Sequence, residues 1–125
     1  MKTIHTENAP KAVGPYSQGV MVQGTLYVSG QIPFDPKTNQ LVSDDIKLQT
    51  KQSLDNVLAI VKEAGLSKEH IVRCTVYMTN LGDFPLMNDV YSNFFGEHKP
   101  ARAAVEVRRL PKDVMVEIDA IAVQF

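Results

Sequence analysis

Apolar residues recur along this chain in two rhythms. QGVMVQ (18–23) and TLYVS (25–29) are short apolar runs on either side of Gly24, a pattern that predicts a β-hairpin. From Asp44 to Ala64 the period lengthens. Leu54, Val57, Leu58, Val61 and Ala64 return at intervals of three and four, which predicts a helix, and Gly65 supplies its C-terminal stop. IVRCTVYMT (71–79) is rich in β-branched residues and reads as a strand. Residues 83–95 form a second helix, with Asp83 as N-cap and Met87, Val90, Tyr91 and Phe94 on one face. ARAAVEVRRL (101–110) and VMVEIDAIAV (114–123) read as two final strands, and FDPKTN (34–39) as a turn or loop.

The last strand predicts something about assembly. Val114, Val116, Ile118, Ala120 and Ala122 alternate onto one face, while Met115, Ile121 and Val123 share the other with Glu117 and Asp119. A strand apolar on both sides calls for cover on both sides. Two helices can cover one face of a sheet of about six strands, and no other segment is long enough to cover the second. A second copy of the chain is the expected cover, giving a closed homo-oligomer; a strongly twisted sheet that buries part of its second face on itself is the alternative.

Composition narrows the class. At 125 residues, 44% hydrophobic and 22% charged, the chain has room for one domain with a real core, spanning residues 1–125. Its formal charge of −1 provides no global field to attract nucleic acid or an acidic membrane. The longest apolar runs, such as VLAIV at 57–61, are too short for a secretory leader or a membrane span, and one cysteine fits a reducing cytoplasm.

Most standard chemistries find no motif. His5, His70 and His98 are scattered outside any metal-type spacing, and the glycines at 14, 19, 24 and 30 do not form a phosphate cradle. GPYSQG is not a serine nucleophile elbow, and Cys74 within a strand reads as a buried, inert thiol. Two ionisable residues stand out. Glu117 interrupts the apolar run VMVEI, a costly place for a carboxylate unless paired or protonated, and Arg102 sits among the small residues of PARAAV. An outward-facing edge position for Glu117 and a surface cation for Arg102 are the plainer readings. A tight turn at Pro111–Lys112 would set Glu106 opposite Glu117, an unfavourable like-charge pair. Either the two strands are not neighbours, or the register differs, or one glutamate is neutral.

PARAAVEVRRLPKDVMVEI (100–118) resembles the signature of the RidA family, also called YjgF, of reactive enamine/imine intermediate deaminases. GPYSQG (14–19), SGQIP (29–33), QSLDNVLAIVKEAGL (52–66), DFPLMNDVY (83–91) and FFGEHKPAR (94–102) resemble the family in the same order, so the likeness spans nearly the whole chain. The resemblance implies a chorismate-mutase-like α+β fold of order βββαβαββ, a mixed six-stranded sheet with two helices on one face. It implies a homotrimer with inward-facing sheets and pockets between subunits. It also implies the activity of a 2-iminobutanoate/2-iminopropanoate deaminase, a hydrolase without metal or cofactor. Enamines and imines such as 2-aminoacrylate, released by pyridoxal-phosphate dehydratases, would become 2-keto acids and ammonia.

By the same resemblance, Arg102 grips the substrate carboxylate, a task suited to a planar guanidinium with two parallel donors. Glu117 activates the attacking water. Tyr16, Ser29 and Asn88 are polar pocket residues, Gly30 is a backbone position beside the ligand, and the amides near Ala103 and Ala104 support the carboxylate or the developing charge. The chain departs from the family pattern where Ala103-Ala104 replaces a common Ser-Cys, at Arg108, and at Asp119, where Glu is frequent. Two other functions are implied less directly: a non-catalytic sensor of small 2-keto acids, and an endoribonuclease or translation inhibitor using the basic residues Lys99, Arg102, Arg108, Arg109 and Lys112. Glu97, Glu106 and Asp113 dilute that charge and no aromatic surface interleaves with it, so a nucleic-acid partner is not expected.

Overall fold

The computed structural model describes all residues, Met1–Phe125. Eight strands and two helices follow one another: β1 (Lys2–Ile4), β2 (Gly19–Val22), β3 (Thr25–Gln31), β4 (Phe34–Asp35), β5 (Gln40–Leu41), α1 (Ile46–Glu63), β6 (Ile71–Met78), α2 (Phe84–Phe95), β7 (Ala101–Glu106) and β8 (Val116–Val123). β4 and β5 pair as a small hairpin where only a turn or loop was expected; Phe34 faces Leu41 and Asp35 faces Gln40. The other six strands form one mixed sheet in the order β1-β2-β3-β8-β6-β7, the expected α+β architecture of order βββαβαββ. Only β6 and β7 run parallel, and α2 is the crossover that parallel neighbours require.

Both helices obey the patterns that predict them, with one difference in capping. The Asp45 carboxylate accepts the Leu48 amide hydrogen bond at 3.1 Å, and the chain leaves α1 through Gly65 at φ +82°. Asp83 does occupy the N-cap of α2, but its side chain makes no capping bond. Asn80, one turn earlier, accepts from the Gly82 amide instead. The apolar stripes of both helices meet the sheet. Leu54, Val57, Ile60, Val61 and Met87 are buried against Leu26, Cys74, Val76, Ile118 and Ala122. β8 alternates without exception, Val116, Ile118, Ala120 and Ala122 inward and Glu117, Asp119, Ile121 and Val123 half-buried on the face away from the helices.

The like-charge conflict between Glu106 and Glu117 does not arise, because β7 and β8 are not neighbours. β6 lies between them, with Tyr77 opposite Glu117 on one side and Met78 opposite Glu106 on the other. The two final strands are also shorter than their apolar runs. After Glu106 the chain turns through Leu110 and a single 3₁₀ turn at Pro111–Asp113, where Lys112 and Asp113 take φ of +58° and +57°. Val114 caps that turn and cannot join the ladder.

Candidate functional site

The sheet face away from the helices carries the first half of the site. β3 and β8 pair in register from Thr25–Val123 to Val28–Ala120, then resume at Gln31–Ile118. One extra residue on β3 makes a β-bulge at Ser29–Gly30, a distortion that re-aims side chains and backbone at this point. Two hydrogen bonds anchor the bulge to the preceding loop and a third braces it from within β3. The Ser29 hydroxyl donates to the Ser17 carbonyl at 2.6 Å, the Ser29 amide to the Gln18 carbonyl at 2.9 Å, and the Gln31 side chain to the Ser29 carbonyl at 3.1 Å. Gln18 is itself buried, bonded to Thr6, Ala9 and Pro10, so the Tyr16–Ser17 segment is held against β3. Tyr16 next to it is 51% exposed.

Glu117 lies over this bulge. A Cβ on Gly30 would run into Glu117 Oε2 and come within 2.9 Å of its Cδ, so only glycine leaves the carboxyl its present position. No protein group donates a hydrogen bond to Glu117. Burial first, and then the negative charge of Asp119 on the same face, push its pKa above the ordinary carboxyl value. Asp119 is better served, accepting from the Thr75 amide and the Tyr77 hydroxyl, each at 3.3 Å. A half-buried carboxyl with raised proton affinity and an open coordination sphere is equipped to take a proton and return it.

Arg102 is on the other face. In the β6–β7 ladder it stands opposite Cys74, which is wholly buried toward the helices, so its side chain emerges on the helix side of an edge strand. There α2 receives it. Its Nη1 donates to Asn88 Oδ1 at 2.8 Å, and the guanidinium lies 4.8 Å from the Tyr91 ring centroid and 5.3 Å from that of Phe84. Arg102 forms no salt bridge and borders an open cavity of about 370 Å³ together with Asn88, Ser92, His98 and Lys99. A fixed, unneutralised guanidinium at a cavity edge is equipped to hold a carboxylate. Cys74, beneath it, has its thiol raised to about 11, chiefly by burial. An alkylating reagent at pH 8 is therefore expected to leave the native protein unlabelled and to label it once in guanidinium chloride; labelling of the native protein at a free-thiol rate would contradict this.

The structure divides the sequence-predicted site residues into two groups. Ser29, Gly30 and Glu117 meet at the bulge, Tyr16 stands in the loop that Ser17 bonds to it, and Arg102 and Asn88 pair on the helix side. Ala104 follows Arg102 onto the helix side and packs against the core, while Ala103 turns to the open face opposite Thr75. Within one chain, Arg102 and Glu117 are thus on opposite faces of the sheet, separated by β6. Sequence reasoning missed Phe84 and Tyr91 as supports of Arg102. They share one stripe of α2 with the predicted Asn88, at intervals of four and three, a signal that could have paired them with a cation. The bulge, Gln18 and the Asp119–Tyr77 bond had no local signal.

No group of three or more His, Cys, Asp or Glu side chains could hold a metal ion. His98 is half-buried rather than a free surface residue, its Nε2 lying 2.6 Å from the Ile71 carbonyl and tying the entry of β7 to that of β6. Among the basic residues, Arg109 is engaged by Asp113 at 2.6 Å. No helix is long and apolar enough to cross a membrane.

The chain matches the family described as endoribonuclease L-PSP over residues 6–124. It is 55% identical over 126 residues to the 2-iminobutanoate/2-iminopropanoate deaminase of Salmonella typhimurium, with 98% of each chain aligned. A RutC family protein of Pyrococcus horikoshii is 54% identical over 121 residues, 97% of this chain and 96% of that protein. Among solved structures, the YjgF gene product of E. coli superposes with a TM-score of 0.96 at 53% identity, and E. coli TdcF with bound serine with 0.96 at 48%, both covering 100% of each chain.

Proposed function

The chain belongs to the endoribonuclease L-PSP family, which includes RidA and YjgF, and we propose that it hydrolyses small 2-imino acids to 2-keto acids and ammonia. The observation that carries this reading is the pair of complementary groups, an unneutralised guanidinium at Arg102 and an unpaired carboxyl of raised proton affinity at Glu117. The 55% identity to a named 2-iminobutanoate/2-iminopropanoate deaminase supports it. Serine in the related TdcF structure supports a ligand with a carboxylate and a nitrogen on the adjacent carbon.

Because the two groups occupy opposite faces of one sheet, a neighbouring copy completes the site. The open face of each sheet carries Tyr27, Val22 and Val105, respectively 52%, 37% and 40% exposed in the single chain, and packing copies over it removes this apolar surface from water. In a homotrimer each of the clefts between subunits then takes Arg102 and Asn88 from one chain and Glu117, Gly30, Ser29 and Tyr16 from the next.

The chemistry balances without a cofactor. The enamine tautomerises to the imine, whose carboxylate docks on Arg102. Water adds to the carbon of the protonated imine as Glu117 takes one of its protons, forming a neutral carbinolamine. Glu117 gives that proton to the nitrogen, and the hydroxyl proton passes to Glu117 as the C–N bond breaks, releasing ammonia and leaving the keto acid. Orientation and one proton-transfer group suffice for a reaction that already proceeds in water.

A serine dehydratase reaction generating 2-aminoacrylate tests the activity: this protein is expected to accelerate pyruvate and ammonia release. Mixing tests the shared site. Arg102→Ala and Glu117→Gln chains should each be inactive, and co-refolded at equal amounts they should recover roughly one quarter of wild-type activity, because random assembly gives one cleft in four both intact groups. No recovery in properly assembled mixtures would place both groups in one chain's site and overturn the shared cleft.

A further inference from the structure

We infer that Tyr91 is a positioning residue, whose ring fixes the plane of the Arg102 guanidinium and so sets the affinity of the protein for carboxylate ligands. Three observations converge. The guanidinium carbon is 4.8 Å from the Tyr91 ring centroid, closer than the 5.3 Å to Phe84, and cations are drawn to the negative face of an aromatic ring. Arg102 is anchored at Nη1 by Asn88 Oδ1 at 2.8 Å, which fixes one corner of the fork but leaves rotation about that contact. A ring against the guanidinium face removes the rotation, since it confines the remaining N–H groups to one plane. Tyr91 is itself only 7% exposed and tilted against Phe95 at 4.8 Å between centroids, so the platform does not move.

The hydroxyl points the same way. Tyr91 Oη is buried and finds no oxygen or nitrogen partner; it lies against the thiol of Cys74, the residue that faces Arg102 across the β6–β7 ladder. A buried hydroxyl with only a weak sulfur partner adds little to stability. The contribution of Tyr91 at the site therefore comes from its ring, and Phe should replace it where an aliphatic residue should not. For its effect on ligands this inference rests on Arg102 as the carboxylate anchor; its geometric part does not.

Two measurements separate those levels. In NMR spectra of the wild-type protein, the Arg102 side-chain signals, assigned by their loss in Arg102→Lys, should be shifted upfield by the ring current. They should stay so in Tyr91→Phe and lose the larger part of the shift in Tyr91→Leu, where only the more distant Phe84 ring remains. Unshifted signals in the wild type would overturn the inference, and that spectrum needs no variant to fold beyond Arg102→Lys. For binding, 2-oxobutanoate titrated by calorimetry should bind Tyr91→Leu about 3- to 30-fold more weakly than wild type and Tyr91→Phe within about twofold. The effect should shrink in an Arg102→Lys background, where no planar cation remains to be oriented. In imine hydrolysis KM should rise with kcat little changed. A shifted Arg102 signal with no keto-acid binding by any form would reject the deaminase reading and leave the positioning geometry standing. Equal binding by Tyr91→Leu and wild type would reject the positioning role.

Discussion

Glu117→Gln is expected to lower imine hydrolysis by about 10²–10⁴-fold while leaving 2-oxobutanoate binding nearly unchanged, because the amide keeps the shape but cannot take a proton. The same substitution should raise the melting temperature at pH 7. Burial and Asp119 hold the Glu117 pKa above its ordinary value of 4.5, so between 4.5 and the raised native value the native chain binds a proton that the unfolded chain has released. Stability contributed by this group is fully present below pH 4.5 and falls as pH rises from there through the raised native value, since the native state binds more protons in that window. Glutamine removes the penalty. The variant's advantage should be largest above the native pKa and close as the pH drops below 4.5. Melting curves at both ends of this range and turnover at pH 7 check the two halves. Wild-type turnover by the variant would remove Glu117 from the mechanism.

Gly30→Ala is the second large effect, about 10²-fold in kcat, and it acts on Glu117 without touching its chemistry. The new Cβ would clash with Oε2 and approach Cδ to 2.9 Å, so the carboxyl must swing off the bulge. Gly30 does not have the left-handed backbone that glycine alone tolerates, so the fold should survive with a stability change within about 1 kcal/mol. A double-mutant cycle makes the cause visible: if displacement of the carboxyl is the damage, Gly30→Ala should add little to Glu117→Gln. Full additivity, or wild-type kcat in Gly30→Ala, would mean that the bulge does not position the base.

Much of the fold is legible in the sequence because its elements carry complete local signals. The α1 stripe at Leu54, Val57, Leu58 and Val61 and the stop at Gly65 are spacings within one segment, and no distant partner has to be known to read them. The alternation of β8 likewise set Glu117 and Asp119 on the face opposite Val116, Ile118 and Ala120, and the structure shows that this is the face away from the helices. Arg102 and Glu117 stood out for a related reason: each is a charge in an apolar or small-residue setting, and that is a property of a few adjacent positions. Their roles came from the resemblance of the 100–118 segment to a family, not from periodicity.

What surrounds those two residues was not legible. Gln18 looks like any polar loop residue until its burial beneath the N-terminal segment is seen, and Phe84 and Tyr91 look like ordinary core aromatics until Arg102 is laid across them.

The chain's own order of apolar and polar residues determined where helices and strands form, which side of each is buried, and which two charges are out of place. The tertiary structure decided that β6 separates β7 from β8, that one extra residue at Ser29–Gly30 bends β3 beneath the Glu117 carboxyl, and that this carboxyl and the Arg102 guanidinium leave the sheet on opposite sides. The physical reason is the range of the forces involved. Periodicity reports on neighbours within a segment, whereas strand order and register are chosen by burial shared among segments far apart in the chain, and a single inserted residue changes which face every later side chain takes.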